Sequence, residues 1–155
     1  MLPIDIPGFD PLAIEHVLLD FNGTLAMDGR LVPGALQAIG SLGECAHVAV
    51  LTADTYGTVE AQCAPLGVEV RTFPQAGAAQ FKEEYARSLV GHVAVLGNGR
   101  NDIGMFDAAD LSIVVIDAEG ACASLFVHAD IVVRNAIEGL ELLLHPDRIR
   151  ATLRS

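Results

Sequence analysis

Short apolar runs alternate with helical patterns along the whole chain. Residues 16–20 read as a buried strand that ends on a carboxylate, Asp20, and residues 48–52, 93–96, 111–116 and 130–133 repeat the apolar run. A shorter strand is expected over 68–72. Between these runs the spacing predicts helices over 33–42, 54–64, 76–90, 101–108 and 120–126, with one or two more between 136 and 153. Pro33 suits the first turn of its helix, where a missing N–H costs nothing. The opening Ile4-Asp5-Ile6-Pro7-Gly8 predicts an added edge strand, the place where a sheet tolerates proline. Strands buried on both faces and joined by crossover helices define an α/β protein: a parallel sheet between two helical layers, Rossmann-like. No repeat, low-complexity tract or linker interrupts the pattern, so residues 1–155 are read as a single domain.

In open parallel sheets ligands bind beyond the carboxyl ends of the strands. Three strand ends here carry Asp20, Thr52 and the turn Gly97-Asn98-Gly99, and these are expected to converge on one pocket.

Composition narrows the function. The apolar share is 52% and the aromatic share 5%, so the core must be aliphatic. The net charge of -11 provides no basic stripe to neutralise phosphates, which argues against nucleic acid as partner. No stretch is apolar for long enough to span a membrane, and the first ten residues carry two acids and no base, unlike a secretory leader. The three cysteines, 45, 63 and 122, form no C-x-x-C pair, as expected of buried thiols in a reducing, cytoplasmic setting. The five histidines show no metal-ligand spacing.

Four segments carry residues able to do chemistry. In Asp20-Phe21-Asn22-Gly23-Thr24-Leu25 a carboxylate at a strand end is followed by glycine, which lets backbone amides approach a phosphate, and Thr24 adds a hydroxyl. Carboxylates serve as phosphoryl acceptors; alone, however, this segment reads rather as a turn capped by aspartate. In Leu51-Thr52-Ala53-Asp54 a hydroxyl at a strand end can donate to a phosphate oxygen, although Thr and Asp are also ordinary helix caps. Lys82, the sole lysine, is either a cation offsetting phosphate charge or a solvated helix residue. Gly97-Asn98-Gly99-Arg100-Asn101-Asp102 makes a tight turn whose Asp102 is either a magnesium ligand or a cap.

In this order, at these strand ends, the four segments resemble the haloacid dehalogenase-like (HAD) superfamily, with its D-x-D-G-T, second-strand Ser/Thr, lysine and closing G-D-x-x-x-D. The motifs are most similar to D-K-T-G-T-L, L-T-G-D and G-D-G-x-N-D of the phosphorylation domain of P-type ATPases, and to small soluble proteins that resemble it. Ala108-Ala109-Asp110-Leu111-Ser112-Ile113 looks like the A-A-D-V-G-I of those pumps. The likeness runs from about residue 16 to 133. It implies Asp20 as nucleophile and metal ligand, and a magnesium cofactor held also by Asp102, by the carbonyl of Asn22 and at the Asn98 position. It further implies that Gly23, Thr24, Thr52, Ala53 and Lys82 hold the phosphoryl group of a phosphorylated substrate. The activity implied is a hydrolase or phosphotransferase forming an aspartyl-phosphate at Asp20.

The sequence departs from that pattern twice. Asn22 stands where superfamily phosphatases carry the aspartate that shuttles the proton, so turnover should be slow. Asn98 stands where an aspartate supports the metal, so magnesium affinity should fall. Both amides precede glycine, the context most prone to deamidation, which would restore an acid at either place. Only residues 26–32 separate the first segment from its helix, room for a small flap but for no large cap domain. An uncapped site suits a large substrate or a homo-oligomer whose neighbour covers it. Two rival readings remain at this stage: a HAD-fold binding protein without useful catalysis, favoured by the two amides, and a stand-alone ATPase-like module, favoured by the pump-like motifs.

Overall fold

The computed structural model describes residues 1–53 and 57–155. Six strands form a parallel sheet in the order β6–β5–β2–β7–β8–β9. They are β2 (Leu12–Asp20), β5 (His47–Thr52), β6 (Glu69–Thr72), β7 (His92–Gly97), β8 (Leu111–Val115) and β9 (Ile131–Val133). A seventh, β1 (Leu2–Ile4), pairs antiparallel with the start of β2, Leu2 opposite Ile14. The N-terminal edge strand therefore forms, but two residues earlier than its apolar spacing suggests, because Pro7 and Gly8 are taken up by a turn.

The alternation of side chains across each strand sorts the core into two layers. Val17, Leu19, Val50, Leu96 and Ile113 face α1 (Ala35–Gly43), α2 (Val59–Cys63), α5 (Ala136–Leu144) and α6 (Pro146–Leu153). Leu18, Ala49, Leu51, Val95 and Val114 face α3 (Ala78–Ser88) and α4 (Ile103–Ala108). The predicted three-layer α/β architecture is thus the observed one.

Local differences have local causes. α1 starts at Ala35 rather than at Pro33, because Gly34 sits at φ 88, a left-handed conformation that cannot continue into a helix. The expected helix over 120–126 is a 3-10 helix, Ala123–His128. The helix expected from 54 begins at Val59 within the described residues; positions 54–56, Asp54 included, lie outside them. Residues 26–32 do form a small flap, a hairpin of β3 (Ala26–Met27) and β4 (Arg30–Leu31). Among the described residues no helix is long and apolar enough to cross a membrane.

Core and edge should respond differently to truncation. Leu140→Ala, at a fully buried α5 position, is expected to cost about 2–5 kcal/mol in urea denaturation. Val132→Ala, 48% exposed on β9, should change stability by no more than about 1 kcal/mol.

Candidate active site

The sheet register builds the site. Asp20 ends β2 opposite Leu51 of β5, so Thr52 stands one residue beyond it on that side. On the other side Leu19 lies opposite Leu96, which sets Gly97 beside Asp20. The three strand ends expected to converge are therefore adjacent.

Lys82 reaches them from α3 with no exposed surface. Its Nζ donates to Asp20 Oδ1 at 2.5 Å and to Asp102 Oδ1 at 2.7 Å. Helix α3 approaches closely enough because the residues one turn before and after, Ala78 and Ala86, are small and buried on the same stripe. The remaining oxygens are also engaged. Asp20 Oδ2 accepts from Thr24 Oγ1 at 3.0 Å, and Asp102 Oδ2 accepts the backbone N–H groups of Asn98 (3.1 Å) and Gly99 (2.9 Å). Asp102 is fully buried and Asp20 is 6% exposed.

Two glycines permit this packing. Gly23 has φ 80, and a Cβ there would lie 2.2 Å from Asn98 Nδ2; a Cβ on Gly97 would lie 2.5 Å from Asp102 Oδ2. Both turns must run without a side chain for the two carboxylates to share one cation.

Burial raises the pKa of Asp20 to about 6, helped by the neighbouring charge of Asp102 and opposed by Lys82 and Thr24. Burial pushes the Lys82 ammonium down, but Asp102 and Asp20 outweigh it and hold it above its ordinary value. Lys82 thus stays charged at any physiological pH, while Asp20 is poised near neutrality.

Asn98 uses both ends of its amide. Oδ1 lies 3.3 Å from Thr24 Oγ1 and shares with Asp20 its single hydroxyl proton, and Nδ2 donates to the carbonyl of Gly120 at 3.0 Å. Asn22 is half-buried, and among the described residues its Oδ1 is a buried acceptor without a hydrogen-bond partner. Thr52 is buried and Ala53 half-buried just beyond it. Deamidation of an Asn-Gly pair needs the glycine nitrogen to attack the side-chain amide. The Gly23 N–H donates to the Ala26 carbonyl, and the Gly99 N–H to Asp102.

Sequence reasoning missed the flap's anchors. Gln62 Nε2 donates to the Gly29 carbonyl at 2.6 Å while its Oε1 accepts the Leu31 N–H, and Glu119 accepts the N–H of Asp28 at 2.8 Å. Only the Asp28-Gly29 turn signal marks this hairpin in the sequence. Among the described residues no group of three or more His, Cys, Asp and Glu side chains is placed to hold a metal. The larger surface cavities, of 490 Å³ beside α1 and 620 Å³ beneath β7 and β8, include neither Asp20 nor Asp102.

No protein-family model matches the chain. Among solved structures it is similar to the 3-deoxy-D-manno-octulosonate (KDO) 8-phosphate phosphatase of Moraxella catarrhalis, solved with magnesium, phosphate and KDO (TM-score 0.71, 17% identity, 91% of this chain and 94% of that one). The cobalt-bound phosphatase of the same specificity from Haemophilus influenzae matches with a TM-score of 0.72 at 18% identity over 92% of this chain and 94% of that one. A protein of Streptomyces avermitilis described as a HAD family hydrolase gives 0.63 at 24% identity over 88% and 89%. The fold is that of the HAD superfamily hydrolases. The chain belongs to one family with an uncharacterized protein of Methanocaldococcus jannaschii, to which it is 42% identical over 62 residues, 40% of this chain and 67% of that protein. The solved structures named are phosphatases or hydrolases, so the likeness to the pumps rests on the motifs alone.

The charge arrangement predicts two stability effects. Asp20 binds its proton more tightly folded than at its ordinary value of 3.8, so its ionisation lowers stability as pH rises from about 4 to about 6. Asp20→Asn cannot ionise and should gain stability over wild type across that interval, keeping the gain at neutral pH; urea midpoints without divalent metal measure it. Lys82→Met leaves two buried carboxylates side by side and should cost about 3–5 kcal/mol in the same assay.

Proposed function

We propose that the protein is a HAD-type phosphohydrolase or phosphotransferase, dependent on magnesium, that forms an aspartyl-phosphate at Asp20. The observation that carries this reading is the buried Lys82 ammonium shared by Asp20 and Asp102 at the carboxyl ends of adjacent parallel strands. A carboxylate fixed by a cation on one oxygen and by Thr24 on the other is aimed as an attacking group rather than spent as a cap.

The donor set fits magnesium. It is all oxygen, the carboxylates of Asp20 and Asp102 with the carbonyl of Asn22, and the buried Asn22 Oδ1 is an acceptor without a donor among the described residues. Bound there, magnesium supplies charge neutralisation for the oxygens of the transferred group. Asn98, tied to Thr24 and Gly120, contributes by holding the turn. The similar structure with magnesium and phosphate bound supports the assignment of the cofactor.

An Asp20 oxygen attacks phosphorus in line as the ester P–O bond breaks, and the leaving oxygen takes its proton from water. Lys82 and the Thr52 hydroxyl stabilise the charge on the phosphoryl oxygens, with the Ala53 amide beside them, while Gly23, its N–H held by the Ala26 carbonyl, gives the turn room for the group to approach. Water then cleaves the acyl phosphate, releasing phosphate and restoring Asp20. Asn22 can neither donate nor accept the proton in these steps, so turnover is slow. The insert after the Asp20 turn is only the short β3–β4 hairpin, so the size of the phosphate ester is left unspecified.

Magnesium-dependent phosphate release across sugar phosphates, other esters and ATP tests the proposal, with Asp20→Asn as control. Release that needs both magnesium and Asp20, with a hydroxylamine-sensitive phosphoprotein intermediate, is the expected result. Equal inertness of wild type and Asp20→Asn sinks the catalytic reading in favour of a HAD-fold binding protein. Asn22→Asp restores the proton shuttle and should speed release by roughly 10²–10⁴-fold.

A further inference from the structure

The two edges of the sheet are finished differently. At β6, Glu69 and Arg71 pair with each other, and His47 pairs with Glu69, so charge covers that rim. At β9 the outward residue is Val132, 48% exposed, with Ile116 (42%) on the same face and Val127 (85%) on the preceding 3-10 helix. In a parallel ladder alternate residues turn their N–H and C=O to the neighbouring strand. The Val133 carbonyl takes the Ile116 N–H from the β8 side, so Val132 presents its own N–H and C=O along the open edge.

We propose that β9 pairs antiparallel with β9 of a second copy of this chain, about a two-fold axis through Val132. The flanking charges select this occupant. Asp130 and Arg134 lie two residues on either side of Val132, so the two-fold sets Asp130 opposite the partner's Arg134, and the reverse. Both side chains are exposed. Asp130 uses one oxygen, Oδ2, on the Ser112 N–H, which leaves Oδ1 for the pair; Arg134, already bound to Glu138, has a planar fork wide enough for two acids. Chains with a net charge of -11 repel each other, so they associate only where opposite charges meet. The β9 edge is self-complementary in charge, in backbone hydrogen bonding and in apolar surface. Its antiparallel geometry points the two sets of strand ends in opposite directions, so neither copy covers the other's Asp20.

Sedimentation velocity over a rising concentration series reads the association. The expected result is a concentration-dependent dimer whose affinity falls by about tenfold or more in Arg134→Glu, which sets acid against Asp130. A hydrogen-bonded antiparallel pair holds its Cα atoms about 5.5 Å apart, within disulfide reach. Val132→Cys in a Cys45→Ser background should therefore form a disulfide-linked dimer on mild oxidation, while Val127→Cys in the same background should not. Circular dichroism confirms that each variant is folded. A single monomeric species at every concentration overturns the proposal. So does a dimer that is indifferent to Arg134→Glu and yields no Val132→Cys cross-link.

Discussion

A lysine without exposed surface needs its charge answered inside the protein, and here two carboxylates answer it at once. One belongs to β2 and the other to the turn after β7, so a single ammonium ties together two strand ends and the helix that crosses over them. Desolvating three charged groups is expensive, and the attraction between them repays it only in good geometry. That requirement reaches outward. It needs Ala78 and Ala86 to bring α3 down onto the sheet, Gly97 to clear Asp102, and the Asn98 and Gly99 amides to satisfy the oxygen Lys82 does not use. The triad carries one more negative charge than positive when all three are ionised; burial first, and then the neighbouring Asp102 charge, raise the pKa of Asp20.

The hairpin of two short strands that follows the Asp20 turn is pinned from both sides, by Gln62 of α2 and by Glu119 from the loop after β8. Such pinning sets the flap's position through hydrogen bonds to backbone groups, so its tip can vary in side chain without moving.

The strands and their ends were legible from the sequence because doubly buried strands read as continuous apolar runs, and their polar termini stand out against them. Asp20, Thr52 and the Gly97 turn were placed together on that ground, and the register bears it out. Lys82 was harder. Its neighbours Gln80, Glu83 and Glu84 are polar, so the segment looks like a solvated face, and only the small residues at one-turn spacing, Ala78 and Ala86, betray the side that is buried. The flap's anchors left no trace, because Gln62 and Glu119 act through contacts to backbone groups roughly thirty and ninety residues away in sequence. The start of β1 and of α1 shifted for reasons of backbone conformation, a turn at Pro7-Gly8 and a left-handed Gly34, which apolar periodicity does not register.

The Asn98 amide has a consequence for how this site can evolve. Its nitrogen serves the Gly120 carbonyl, and Gly120 follows the residue that pins the flap. An aspartate at that position would turn a second oxygen toward the carbonyl and push the loop away, disturbing the flap. A lineage in this state reaches a carboxylate here only after the loop has found another tether, so the order of substitutions is constrained and the direct single step is uphill.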